Sequence, residues 1–261
     1  MSETLKVKTM AEFMAENKKP EILFWVGSAG SYDDRAKKIS RAFVKILNNA
    51  NVDFAVLGSE ESCTGDVAKR AGNEFLFQMQ AMMNIEVLNG YGVKRIVTCD
   101  PHSFNTLKNE YPSLGGRYEV VHHTQFIKEL IDNKRLAVKG EVYKGKRITF
   151  HDPCYLGRAN SVYDAPREVL KNTNGDIIEM KRHKKTALCC GAGGAQMFKE
   201  PEKGAMDINV LRTKDALETN PNIIATGCPY CNTMMTDGIK AHEKENSVSV
   251  LDVAELVANS L

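Results

Sequence analysis

The sequence predicts an α/β protein made of two similar Rossmann-like domains, each with a parallel sheet, related by an internal pseudo-twofold duplication. Three observations carry this expectation. Short apolar runs alternate with segments of helical period. The alternation occurs twice, and the loop motifs between the elements recur in the same order. The chain has 261 residues, enough for two domains of ordinary size.

In the first half, "EILFWV" (21–26), "VDFAVL" (52–57), "VKRIVT" (93–98) and "YEVVH" (118–122) read as buried strands. Between them, Ile39, Phe43, Ile46 and Leu47 mark one helix face, and Phe75, Leu76, Met79, Met83 and Val87 mark another. Met79, Met82 and Met83 are expected in that helix's core contact. In the second half, "RITFHD" (147–152), "DIIEM" (176–180), "NIIAT" (222–226) and "SVSVL" (247–251) are the strands. Helices are expected near 164–172, 202–219, 230–241 and 252–259. The polar, basic stretch 132–146 reads as the linker, which places the domains at 1–135 and 146–261.

The loops repeat as well. "GSAGSYDDR" (27–35) sits like "DPCYLGR" (152–158), just after a first strand. "ESCTGD" (61–66) sits like "LCCGAG" (188–193), and "TCDPHSFNT" (98–106) like "GCPYCNT" (227–233). Aligned this way, Ser28 or Ala29 stands for Cys154, Ser62 for Cys189 and Cys63 for Cys190. Asp100 and Ser103 fall near Cys228 and Cys231. The first copy then keeps one of five thiols.

Composition narrows the function. The chain is 43% hydrophobic and 26% charged, with a formal net charge of +2 and interspersed signs. That excludes a dedicated nucleic-acid or lipid-headgroup surface. No apolar run approaches the roughly 18 residues that span a bilayer. The opening "MSETLKVKTMAEFMAENKK" is too polar for a signal peptide. The expected location is cytoplasmic, with any membrane association peripheral and through a partner.

Of seven cysteines, Cys154, Cys189, Cys190, Cys228 and Cys231 crowd the second half; Cys63 and Cys99 lie in the first. An odd count in a reducing compartment argues against disulfides, and adjacent cysteines bridge each other poorly. Thiolates are soft ligands that select zinc, copper(I) or iron–sulfur clusters. Five exceed the four that tetrahedral zinc or an ordinary cubane uses. Both Cys189 and Cys190 can face one site if it is multinuclear. The cysteines follow strands and precede helices, at the carboxyl edge of a parallel sheet, where α/β proteins bind ligands. Helix N-termini there suit an anionic cluster. Gly191, Gly193 and Gly194 would let backbone approach it. Zinc on four thiolates remains the alternative.

"HDPCYLGR", "CCGAGG" and "GCPYCNT" at these spacings resemble the cysteine-rich CCG domain found in the B-type and D-type components of heterodisulfide reductase. The same domain occurs in iron–sulfur subunits of lactate, glycolate and glycerol-3-phosphate oxidation systems. "DPHSFNTLKNEYP" gives the first half a fainter likeness, so the resemblance covers about residues 20–260. It implies a noncubane [4Fe-4S] cluster on Cys154, Cys189, Cys190, Cys228 and Cys231, and an oxidoreductase subunit. The first copy departs from the pattern, whereas disulfide reduction in the family uses two intact copies. The expected function is therefore electron transfer between a dehydrogenase, flavin or ferredoxin-type partner and a quinone or thiol/disulfide couple. Direct disulfide reduction is the alternative, and a zinc-stabilised assembly module the second. The chain has no ferredoxin-type cysteine run, so partner subunits are expected to carry the cubane [4Fe-4S] clusters and the flavin.

Other residues are weighed against plainer roles. Cys63, Cys99 and His102 read as a vestigial site, with a residual metal site involving Asp100, His122 or His123 as the alternative. His151 either caps its strand end, or donates a proton or hydrogen-bonds a cluster sulfur. Arg158 either pairs with the cluster's negative charge or an acidic substrate, or serves as a helix cap or surface residue. Tyr155 and Tyr230 pack over the site rather than act in radical chemistry, and "KRHKK" (181–185) is a solvated turn, with docking of an acidic partner subunit as the alternative.

Overall fold

The computed structural model describes residues 5–200 and 203–261. They form two compact units, Met1–Leu136 and Ala137–Leu261. The first holds a five-stranded sheet in the order β1-β3-β2-β4-β5. Its strands are β1 Lys8–Thr9, β2 Ile22–Trp25, β3 Phe54–Val56, β4 Arg95–Thr98 and β5 Glu119–His122, all parallel. The second holds β6 Arg147–Phe150, β7 Asp176–Ile177, β8 Ile223–Thr226 and β9 Ser249–Asp252, parallel in the order β7-β6-β8-β9.

The order β3-β2-β4-β5 thus recurs as β7-β6-β8-β9, and each sheet is wound outward from a central pair. In such sheets the crevice for ligands opens at the carboxyl ends of the two strands where the winding reverses. Those strands are β2 and β4 in one unit and β6 and β8 in the other. The central strands are buried on both faces, as parallel strands covered by helices must be. The edge strand β1 is not legible in the sequence, because two residues give no period.

The helix Asp34–Asn49 is capped by Asp33, whose carboxylate accepts from Ala36 N, and it buries Ile39, Phe43, Ile46 and Leu47 as expected. The helix Glu74–Gly90 corrects the expectation. It buries Phe77, Ala81, Asn84, Ile85 and Leu88, while Phe75, Leu76, Met79, Met82 and Met83 are exposed. This helix is apolar nearly all round, so period alone leaves the phase of its buried stripe undetermined. The polar residue inside that stripe, Asn84, is the physical reason for the phase. It is 1% exposed, donates to Cys63 O and Tyr111 Oη and accepts from Ser62 Oγ.

In the second unit, the helix expected at 202–219 runs Ile208–Leu217, and its expected start at 202 lies outside the described residues. Residues of the expected linker pack into this unit: Tyr143 is buried, and Lys139 N and Gly140 N donate to Ser260 O. The helix Pro229–Ala241 approaches Ile208–Leu217 closely at Gly238, where any Cβ would strike Thr213. Among the described residues no helix is long and apolar enough to cross a membrane.

Candidate metal centre

Three loops at the carboxyl ends of β6, β7 and β8 bring cysteines to one place. After β6 the chain turns through 151–160, where Gly157 N donates to Pro153 O and Ala159 N to Cys154 O. Asp152 anchors this turn. Its carboxylate accepts two bonds from Arg167, at 2.8 and 2.9 Å, and one from Lys184 N at 2.8 Å. Arg167 also donates to Glu179 and to Tyr163 O. Burial alone pushes the Asp152 carboxyl up, but Arg167 outweighs it and holds the group below the usual carboxylate range. Arg158 donates to Ala187 O at 2.6 Å, tying the Cys154 loop to the one that carries Cys189.

Cys189 and Cys190 precede Gly191, whose φ of +92° lies in the left-handed region. That turn lets Gly191 N donate to Cys189 Sγ at 3.3 Å. A Cβ on Gly191 would face Ile208 and Met234, so the glycine is required by φ rather than by a close approach to the thiols. Cys228 is the N-cap of Pro229–Ala241 and accepts from Cys231 N at 3.5 Å. Proline at the first helical position spares an N–H and leaves the helix terminus facing the thiols.

The thiols gather at one place. Cys190, Cys228 and Cys231 form one buried cluster with Cys189 packed against it, the Cys190 and Cys231 sulfurs meet at 3.3 Å, and Cys154 lies near enough to Cys189 for each to shift the other's ionisation. Cys190, Cys228 and Cys231 are buried; Cys154 and Cys189 are half-buried, and all five are free thiols. Hydrogen bonds from Cys154 and Cys190 draw the Cys189 thiol down, helped by Gly191 N–H. Cys154 and Cys190 are pushed up, first by their bonds to Cys189, and Cys231 is pushed up by Cys190 and Cys228. Without a cation, then, ionising one thiol suppresses its neighbours. Five buried sulfurs this close become thiolates together only around several positive charges, and this donor set fits a multinuclear soft-metal centre.

His151 and Arg212 complete the site. One ring nitrogen of His151 lies within 4.8 Å of the Cys190 and Cys231 sulfurs, which lie within the same distance of each other. Burial, then the Arg212 charge, pushes the imidazole down to about 3, so it is neutral. Arg212 is fully buried, donates to His151 Nδ1 at 3.0 Å and Arg182 O at 2.7 Å, and pairs with Asp215. A charged residue on an amphipathic helix reads as solvent-facing, so nothing local in the sequence points to Arg212. The stretch 181–185 is partly solvated, with Lys181 and Lys185 exposed, and is tied down by its other residues. Arg182 pairs with Asp215, Lys184 N donates to the Asp152 carboxylate, and His183 Nδ1 bonds Met180 O. Tyr230 packs against the cysteines, as expected.

The same places in the first unit can be read from strand register. Leu23 pairs Ile96 as Thr149 pairs Ile224, and Trp25 pairs Thr98. Matching Thr98 to Thr226 through the loop motifs puts Trp25 at the place of His151 and Ser28 at that of Cys154. Asp100 is the counterpart of Cys228. It too caps a helix that begins with proline, accepting from His102 N and Ser103 N, and Ser103 Oγ donates to it at 2.7 Å. The expected pairing of Cys63 with Cys190 is corrected by one residue. Gly65 N donates to Cys63 Sγ at 3.4 Å, and Gly65 has φ +85°, the arrangement of Gly191 and Cys189. Cys63 therefore matches Cys189, and Thr64 matches Cys190. Oxygen groups fill the remaining places. Glu61 accepts from Val26 N and Gly27 N, and burial pushes its carboxyl up to about 7. His102 Nδ1 is committed to Asp66 at 2.9 Å, and Cys99 is buried one residue from Asp100. His122 Nδ1 bonds Thr124. Cavities of about 490 and 290 Å³ lie elsewhere in this unit, and no cysteine lines either.

Two wound parallel sheets, one carrying five thiols at its switch point, define a cysteine-rich redox-type or metal-binding α/β protein. The chain belongs to the CCG cysteine-rich domain family, whose pattern matches twice, at residues 22–108 and 148–236. It is 51% identical over 257 residues to the probable iron-sulfur-binding oxidoreductase FadF of Bacillus subtilis, covering 98% of this chain and 36% of that protein. It is 45% identical to the EtfAB:quinone oxidoreductase of Syntrophomonas wolfei, over 96% of this chain and 36% of that protein. It is 36% identical to the D component of the dihydromethanophenazine:CoB–CoM heterodisulfide reductase of Methanosarcina barkeri, over 93% of this chain and 59% of that component. The chain thus spans about a third to three-fifths of the length of these relatives.

Proposed function

We propose that the chain is an iron–sulfur electron-transfer subunit. Its cluster, a noncubane [4Fe-4S] group, is held by Cys154, Cys189, Cys190, Cys228 and Cys231 in an intact domain at 146–261, beside a degenerate domain at 1–135. The observation that carries this is the cluster of Cys190, Cys228 and Cys231 with Cys189 packed against it and Cys154 beside Cys189, at one sheet's switch point. When bound, the cluster accepts and returns single electrons. The protein supplies the rest. Gly191 N–H and Cys231 N–H stabilise negative charge on the sulfurs they meet, and Pro229–Ala241 adds its positive helix end. Burial of Cys190, Cys228 and Cys231 excludes water, while half-buried Cys154 and Cys189 leave one side of the site open to a partner. The names of the relatives support an iron–sulfur group and the flow of electrons from an electron-transferring flavoprotein to quinone. Partners carrying flavin and cubane clusters would complete the path, and any membrane contact would be theirs.

The heterodisulfide reductase relative favours one second reading, direct disulfide reduction at the same thiols. The oxygen-filled counterpart site in the first unit weighs against it.

Iron, acid-labile sulfide and zinc contents of anaerobically purified protein test the proposal, with EPR before and after oxidation. Iron and sulfide near four each, lost in Cys189→Ser, are expected. Zinc without sulfide would overturn the redox reading. Turnover of a small disulfide by the isolated, reduced chain would favour the second.

A further inference from the structure

His151 is fully buried, and its Nε2 has no hydrogen-bond partner among the described residues. A buried ring N–H left unpaired costs about 1–3 kcal/mol, so its retention calls for an acceptor. Its other nitrogen fixes which one that is. Arg212 can only donate, so the 3.0 Å contact from Arg212 Nε makes His151 Nδ1 an acceptor. The proton of the neutral ring then sits on Nε2. The sulfurs of Cys190 and Cys231 each lie within 4.8 Å of a ring nitrogen of His151, which makes them the candidate acceptors.

We propose that His151 is a positioning residue of the cluster: Arg212 locks it as the Nε2–H tautomer, and Nε2–H donates to sulfur at the Cys190–Cys231 end. The inference rests on the iron–sulfur reading above. A donor aimed at cluster sulfur stabilises the reduced, more negative state and raises the reduction potential. Arg212 contributes in two ways. It fixes the tautomer, and it places a buried positive charge, shared with Asp215, one ring away from the sulfurs. His151 is not a ligand in this scheme, since a ligating Nε2 would have to give up its proton.

The test uses the full chain, reconstituted anaerobically with ferrous iron and sulfide, in wild type, His151→Leu and His151→Gln. Iron and sulfide content, EPR-monitored reduction potential and nitrogen hyperfine coupling are measured. Metal-free protein gives the imidazole tautomer by ¹⁵N NMR. Wild type and both variants are expected to hold equal iron and sulfide. At the wild-type midpoint, His151→Leu should lower the reduced-to-oxidised ratio about tenfold, which is ~59 mV for one electron. His151→Gln, which keeps an N–H donor, should recover most of that shift. The NMR should show Nε2–H in wild type and a mixture in Arg212→Met. A wild-type potential in His151→Leu with a full cluster overturns the proposal. Loss of iron in His151→Leu, or strong directly bonded nitrogen coupling in wild type, overturns it in favour of ligation. Failure of the wild-type chain to take up iron and sulfide at all sinks the iron–sulfur reading instead.

Discussion

Arg167→Met removes the residue that holds the Cys154 loop in place, and its cost can be worked from its partners. Arg167 donates twice to Asp152, twice to Glu179 and once to Tyr163 O. Glu179 is 36% exposed at its side chain and can be resolvated, so its loss costs little. Asp152 is 3% exposed and would keep only the Lys184 N–H. Leaving one buried partner uncompensated costs about 3–5 kcal/mol. At ordinary urea dependences of about 1–3 kcal/mol per M that lowers the midpoint by roughly 1–5 M. The assay is urea unfolding of the metal-free chain by far-UV circular dichroism. Trp25, the single tryptophan, separately reports the first unit by fluorescence. Asp152→Asn combined with Arg167→Met should cost less than the sum of the single changes, because the orphaned charge is gone. The pH dependence has a definite sign. The folded Asp152 carboxyl lies below its unfolded value. Its stabilisation is therefore complete above the ordinary carboxylate range and is lost as pH falls through the depressed value. The gap between wild type and Arg167→Met should narrow in that acidic window. A loss under about 1 kcal/mol at neutral pH, or a double variant no more stable than Arg167→Met, would refute the reasoning.

Gly191→Ala forces a side chain into φ +92° and should cost about 1–2 kcal/mol; reconstituted iron content, expected to drop, checks whether the turn positions Cys189. Glu61 has its folded carboxyl raised to about 7 from an ordinary 4.5. First-unit stability, read from Trp25 fluorescence, should therefore be greatest below the ordinary value and fall by up to about 3 kcal/mol as pH rises through 7. Glu61→Gln should flatten that slope, and an unchanged slope would show that another group titrates.

Strands and the cysteine set are legible because parallel strands are continuous apolar runs, because C-x-x-C opens a helix straight after β8, and because C-C-G places two thiols side by side. What escapes has physical causes too. The phase of Glu74–Gly90 depends on Asn84, a buried polar residue whose partners Ser62, Cys63 and Tyr111 come from elsewhere in the chain. Arg212 and Arg167 are charged residues whose burial depends on carboxylates and an imidazole in other loops, and no local period announces that. The correspondence between the halves slips by one residue at Cys63, since "SCT" and "CCG" look alike as strings. Only the left-handed glycine and its bond to sulfur fix the register.

That register can be tested by building the missing site. If Cys63 stands where Cys189 does, then Ser28→Cys, Thr64→Cys, Asp100→Cys and Ser103→Cys complete a five-thiol set in the first unit. Glu61→Ala should accompany them, because Ala187 is its counterpart in the corrected register and a carboxylate there would repel an anionic cluster. Placing the new cysteine at Ser62 instead of Thr64 gives the same thiol count with the pair shifted by one. Ser62 Oγ is turned towards Asn84 at 2.9 Å, whereas Thr64 is buried beside the left-handed Gly65. The Thr64 series should therefore take up about twice the iron and sulfide of the parent chain, and the Ser62 series about the parent amount. Trp25 fluorescence confirms that each first unit is folded before the comparison is made. Equal uptake by both series would show that thiol count alone, and not the Gly191-like turn, governs assembly, and the corrected register would carry no chemical meaning.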